Sequence, residues 1–222
     1  MEQLNLNFTS DDKKIYFNKL DTRLDEMDKF LLQYRSAIRE VKTKLEILDE
    51  EFKIKRKRNP IEYMKARIKT PKSIMSKLQR KGFETSLSSA KDNLFDIAGV
   101  RVVCSFVDDI YKVADNLINQ DDIILIEKKD YIKKPKNNGY RSLHLVVQIP
   151  VFFSEDVEMV PVEVQIRTIA MDFWASLEHK LYYKTEDCGS LHIRNDLKEC
   201  ADIISSTDIK MQEIQKQVEN IL

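Results

Sequence analysis

The sequence predicts an α/β (α+β) fold, one mixed sheet of about five strands flanked by helices, with a long helix at each end. Two patterns predict it. From Met27 onward apolar residues recur as Phe30, Tyr34, Ile38, Val41, Leu45, Leu48 and Phe52, and the closing segment repeats the pattern with Leu197, Ala201, Ile204, Ile209, Ile214 and Val218. The steps of four and three in the first, and the similar stripe in the second, mark amphipathic helices, which either cover a sheet or join subunits. Between them, strand-like runs at about 61–68, 99–106, 122–128, 141–149 and 158–167 alternate with helical patterns.

In chain order, the first helix should stop before Asn59-Pro60. Thr70-Pro71 then offers an N-cap followed by proline at the first helical position, and Thr168 offers a cap for the run Ile169 to Lys184. The segment Lys133 to Gly139 has turn chemistry without apolar periodicity and reads as an exposed basic loop. No internal repeat or linker interrupts the chain. It reads as one domain over 1–222: a helical extension at about 24–58, a core at about 61–184 and a terminal helix at about 194–222.

A hydrophobic fraction of 42% over 222 residues can fill a core of that size. Lys+Arg and Asp+Glu stand at 37 each, so bulk charge favours neither a nucleic acid nor a membrane, and any anion site must be local. No apolar run approaches 18 residues and the N-terminus lacks a secretory signal, which points to a cytoplasmic protein. Cys104, Cys188 and Cys200 are odd in number, lack zinc-site spacing, and read as reduced thiols.

Candidate chemistry gathers in four runs. In Val162 to Thr168, period-two geometry sends Val162, Val164 and Ile166 to one face and Glu163, Gln165 and Arg167 to the other. An acid, an amide and a guanidinium in a row suit a cleft where phosphates, a metal and a hydroxyl meet; a solvated strand face is the plainer alternative. Asp96 precedes a strand on which Arg101 points away from Val100, Val102 and Cys104. A Mg²⁺ ion bound with nucleotide phosphates takes one or two protein carboxylates, so Asp96 with Glu163 would suffice, although Asp96 could equally cap a turn. In Asn138-Gly139-Tyr140-Arg141-Ser142-Leu143-His144, Tyr140 opens a strand where its ring can stack on a base, Asn138 can read a base edge, and His144 shares a strand face with Ser142. Alone, Tyr140 could be an ordinary packed strand residue and His144 a structural histidine. Upstream, Arg67 and Lys69 share a strand face, and Ser73 and Lys77 share a helix face with Lys72, Arg80 and Lys81 nearby. Cations at a helix N-terminus attract phosphate, and a solvated basic face is the bland reading.

In order and rough spacing these four runs, with Glu163-Val164-Gln165-Ile166-Arg167-Thr168 and the Asn138 to His144 run as the most specific, resemble the synthetase domain of the RelA/SpoT family, and in particular the small alarmone synthetases of the RelQ type. The resemblance covers roughly residues 28–215. It implies a nucleotidyltransferase-like synthetase fold and a (p)ppGpp synthetase (GTP diphosphokinase) that transfers pyrophosphate from ATP to the 3′-hydroxyl of GDP or GTP. By that likeness Asp96 would bind Mg²⁺, and Glu163 would deprotonate or orient the hydroxyl and touch the metal. Arg67 and Arg101 would sandwich adenine, and Lys69, Ser73, Lys77 and Arg80 would hold the ATP phosphates. For the acceptor, Tyr140 would stack on guanine, Asn138 and the backbone near Ala175 would read its edge, Lys136 and His144 would grip its 5′-phosphates, and Gln165 would support the site.

The resemblance further implies a homotetramer built by terminal helices, with which the Phe30 to Phe52 stripe agrees, and a guanosine-phosphate effector in a cationic cleft. Glu46 beside Lys42 and Lys44 sits poorly with such a cleft. His144, His179 and His192 are followed by Leu, Lys and Ile, so the His-Asp pair of the family's hydrolase domain is not expected. Two rivals differ in chemistry. One is an RNA-binding regulatory protein resting on Lys133, Lys134, Lys136 and Arg141 near Tyr140; acids on the same sheet face oppose it. The other is an enzyme that moves AMP rather than pyrophosphate.

Overall fold

The computed structural model describes residues 10–56, 58–183 and 191–221. Cys188 and Lys184 lie outside them. Helix α1 (Ser10–Arg56) leads into strand β1 (Ile61–Ile68), helices α2 (Pro71–Lys81) and α3 (Leu87–Asn93), and strand β2 (Ala98–Cys104). Helix α4 (Val107–Ile118) then precedes β3 (Ile124–Asp130), β4 (Leu143–Phe152) and β5 (Val157–Thr168), and α5 (Ile169–Tyr183) and α6 (Leu191–Glu219) follow.

The five strands form one sheet in the order β1-β2-β5-β4-β3. β2 and β5 run parallel, and the other neighbours are antiparallel. β5 is therefore the middle strand, and its alternation is sharp: Val160, Val162, Val164 and Ile166 are buried in the main core with Val100 and Val102 of β2 and Leu145 and Val147 of β4. That core face is closed by α1, whose Phe30, Tyr34, Ile38, Val41, Leu45, Leu48 and Phe52 are all buried in it, and by Ile110, Val113, Ala114 and Leu117 of α4. At about 25 cal/mol per Å² of apolar surface removed from water, this seam is the main reason the helix and sheet stay together.

Several sequence expectations are corrected. α1 starts at Ser10, well before the expected 24, and its stripe packs on the chain's own sheet. The stripe is thus satisfied within the chain and is no argument for a tetramer. In α6, Ala201 is buried with Leu197 and Ile204 packed beside it, whereas Ile209, Ile214 and Val218 are exposed. β4 begins at Leu143, so Tyr140 lies in the turn before the strand. The strand limits otherwise shift by three residues or fewer. Among the described residues, no helix is long and apolar enough to cross a membrane.

Candidate functional site

The face of the sheet opposite α1 carries the polar half of each alternating strand. Register lines these residues up across the sheet. Arg101 pairs with Gln165, which pairs with His144, while Arg67 pairs with Gly99, which pairs with Glu163. Gly99 leaves a gap between Arg67 and Glu163; a Cβ there would lie 3.7 Å from Arg67 Cγ. The gap belongs to a cavity of about 200 Å³ lined by Arg67, Gly99, Arg101, Glu163 and Gln165.

A second cavity of about 410 Å³ opens beside it, lined by Lys69, Ser73, Lys77, Arg80 and Asp96. Local chemistry builds it. Thr70 caps α2, its Oγ1 accepting from the Ser73 amide at 3.3 Å, and Pro71 takes the first turn. One turn on, Lys77 Nζ donates to Asp96 Oδ2 at 2.5 Å, and Lys69 Nζ donates to the same oxygen at 2.7 Å. Lys69 lies just beyond β1, where its amide extends the ladder to Ile97 O. It therefore lines a different cavity from Arg67, with which it was expected to share a strand face.

Burial would push the Asp96 carboxyl up, but the hydrogen bonds and charges of Lys69 and Lys77 outweigh it and hold the group below the usual carboxylate range. Asp96 Oδ1 is buried without a hydrogen-bond partner. That free oxygen fits one bond to a hard cation. Glu163 stands close enough to feel the Asp96 charge. Among the described residues no cluster of three or more His, Cys, Asp or Glu could hold a metal. The donor set therefore fits a Mg²⁺ ion that takes its remaining ligands from water and phosphate, rather than an all-protein cage.

Glu163 is the half-buried centre of the polar face. Its Oε2 accepts from Gln165 Nε2 at 2.9 Å, and its Oε1 lies 3.3 Å from His144 Nδ1. Burial raises its proton affinity, while the His144 hydrogen bond and charge and the Gln165 hydrogen bond together hold it below the ordinary range.

The other flank holds Tyr140. Its hydroxyl lies 2.8 Å from His144 Nε2 and accepts from Arg167 Nη2 at 2.5 Å. Lys136 Nζ stands 4.8 Å from the ring centroid and the Arg167 guanidinium carbon 5.0 Å. Tyr140 is thus half-buried and engaged rather than freely exposed. Asn138 Nδ2 donates to Glu178 at 3.1 Å and its Oδ1 accepts from the Tyr140 amide, an Asx turn that sets up the loop. The loop is not wholly exposed, because Gly139, with φ +88°, is buried against α6. Arg141 secures the same helix through Asp202 at 3.1 Å and the Ala201 carbonyl at 3.3 Å. Ser142, expected beside His144, is buried, and its hydroxyl donates to Ile166 O. Ala175 is buried in a small cluster with Trp174 and Ala201, against which Tyr140 packs.

Sequence reasoning left two participants unassigned. Arg167 lies in the alternating row of β5, but its burial to 4% exposure depends on α5. Asp172, in the first turn of α5, accepts from Arg167 Nη1 at 3.0 Å and from Tyr63 OH at 2.8 Å, and pairs with Arg101 Nη1 at 3.2 Å. An acid in the first turn of a helix is so ordinary a feature that no sequence signal marks this one.

Comparison with known proteins gives a consistent result. The family described as "Region found in RelA / SpoT proteins" matches residues 66–188. GTP pyrophosphokinase YwaC of Bacillus subtilis is 45% identical over 204 residues, covering 92% of this chain and 97% of that protein. Among solved structures, small alarmone synthetase 1 from Bacillus subtilis bound to its product pppGpp superposes with a TM-score of 0.78 at 37% identity, covering 87% of this chain and 98% of the other. The same enzyme bound to AMPCPP superposes with a TM-score of 0.74 at 34% identity, covering 88% and 99%.

Proposed function

The chain belongs to the RelA/SpoT family and is a (p)ppGpp synthetase that transfers pyrophosphate from ATP to the 3′-hydroxyl of GDP or GTP, and on that footing we propose how its residues divide the work. The observation that carries the division is the position of Glu163. It lines the cavity shared with Arg67 and Arg101, and through His144 it is joined to Tyr140 on the other flank.

The ATP side is the β1–α2 flank. Arg67 and Arg101 bracket adenine, while Lys69, Ser73, Lys77 and Arg80 take the phosphates at the start of α2, where backbone amides and cations favour negative charge. The acceptor side is the Tyr140 flank: Tyr140 stacks on guanine, Asn138 and the Ala175 backbone read its edge, Lys136 and His144 hold its 5′-phosphates, and Gln165 steadies Glu163. Glu163 receives the proton of the 3′-hydroxyl. As it does so the oxygen bonds to the β-phosphorus, the bond between that phosphorus and the α,β-bridging oxygen breaks, and AMP leaves. A carboxylate held below its usual range is a weak base, so it takes the proton late, as the new bond forms. Asp96, with Glu163, is the set that would hold Mg²⁺, which when bound neutralises charge on the phosphates.

Self-association as a homotetramer is supported by α5, where Ile169, Phe173, Leu177 and Leu181 form an exposed apolar row at steps of four. A cytoplasmic setting suits the nucleotide pools the reaction draws on.

The test is to mix purified protein, Mg²⁺ and γ-labelled ATP with GDP or GTP and resolve the products. Label on the guanosine nucleotide with matched AMP release is the expected result, and its rate ranks the acceptors. Pyrophosphate release in place of AMP would overturn the reading.

A further inference from the structure

Asp172 is a buried acid on this face to which the division of labour gives no task, and three side chains reach it. Its side chain is only 6% exposed. Donors reach it from three strands: Tyr63 of β1, Arg101 of β2 and Arg167 of β5. Two of these donors face different nucleotides. Arg101 lines the cavity read as the adenine site, whereas Arg167 holds the hydroxyl of Tyr140, read as the guanine platform. Tyr63 and Arg167 lie in one lateral row of the sheet on either side of Val103, so the carboxylate bridges the width of three strands.

We infer that Asp172 is a positioning residue that joins the ATP and acceptor subsites, so that each nucleotide alters the protein's affinity for the other; this rests on the assignment of the two subsites made above. The physical reason is that one buried carboxylate is shared by two guanidinium groups. When adenine draws Arg101 away from Asp172, the carboxylate's charge falls more fully on Arg167. Arg167 then holds its orientation, and with it the Tyr140 hydroxyl, more firmly. The reverse step follows by linkage: a guanine that fixes Tyr140 and Arg167 leaves Arg101 freer to turn to adenine. Arg167 Nε is buried without a hydrogen-bond partner, so its placement depends on the bonds its two terminal nitrogens make to Asp172, Tyr140 and Gln165.

The experiment measures, by calorimetry with Mg²⁺ present, the dissociation constant of α,β-methylene-ATP alone and with saturating GDP, and of GDP with and without the analogue. Wild-type protein should show each nucleotide tightening the other by about fivefold or more. In Asp172→Asn that factor should fall to one, with kcat/KM for both substrates reduced. Loss of the carboxylate can also unfold the protein, so Tyr63→Phe, which removes one donor from a ring 39% exposed, is measured in parallel. It should lower the factor while each nucleotide alone binds as in wild type. A protein that transfers pyrophosphate but shows a wild-type factor of one, or keeps its factor in the folded variants, overturns the inference and leaves the function standing. A protein that transfers none overturns both.

Discussion

The two flanks of the site are built in opposite ways. On the β1–α2 flank, a cap, a proline, Lys69 and Lys77 lie within residues 69–77, and these two lysines converge on one carboxylate, Asp96. On the Tyr140 flank, the loop supplies its own turn and Lys136, and the rest of what fixes the ring arrives from elsewhere: His144 from β4, Arg167 from β5 and α6 over Gly139. The first flank is a local construction open to solvent, and the second is a tertiary one. Substitutions should therefore act on the first mainly through charge and on the second mainly through packing.

Glu163→Gln should have the largest effect, on turnover rather than on either flank's binding, because Glu163 stands where the two flanks meet. Turnover should fall by about 100-fold or more while both KM values stay close to wild type, as steady-state kinetics would register. A variant with normal kcat would refute the role of Glu163. Next in size, Tyr140→Ala should raise the acceptor KM by about 10-fold or more, the value of one stacked base, with a smaller change at ATP. Equal changes at both substrates would mean that the tyrosine serves the fold rather than guanine.

The glycines sharpen the contrast. Gly82, which ends α2 at φ +75°, faces open space, while a Cβ on Gly139 would stand 2.6 Å from Ala201 Cβ. Gly82→Ala should cost about 1 kcal/mol of strain alone. Gly139→Ala adds a collision and should cost about 1–3 kcal/mol more, with a raised acceptor KM. Urea unfolding gives both stabilities on one scale, and equal losses would deny the grip of α6 on the loop.

The smallest effect is in acid. Asp96 has a lowered pKa because Lys69 and Lys77 favour its charged form, so its contribution to stability is complete above the ordinary carboxylate value of about 4 and disappears as pH falls through the lowered one. Unfolding curves from neutral pH down to about 3 should therefore be shallower in Asp96→Asn than in wild type. Identical slopes would mean that the lysine cluster is not formed in solution.

How much of this was legible follows the same division. The α1 stripe, the Thr70 cap and the Thr168 cap, whose Oγ1 accepts from the Met171 amide, are near-neighbour patterns that the chain displays directly. What a stripe does not display is its partner; a row of apolar side chains states a demand for burial, and either a sheet or a second subunit could meet it. The alternation of β5 was readable because period two is unambiguous when one face is wholly apolar. Tyr140 was misplaced into a strand because the Asx turn of Asn138 competes with extended backbone at short range. Asp172 could not be found at all, since its meaning lies in three strands that meet only after the sheet has formed.

The alternation of β5 also says which genetic changes the protein can survive. Its odd-numbered positions Glu163, Gln165 and Arg167 form the polar face, and its even-numbered neighbours fill the core. Insertion or deletion of a single codon within 157–168 would turn the strand over, sending valines to the nucleotides and three polar groups into the seam with α1. Two codons restore the facing but slide every residue two positions along its neighbours. Length variation among viable variants should therefore be excluded from this strand and gather in loops, such as the turn between β4 and β5 at Phe153 to Asp156.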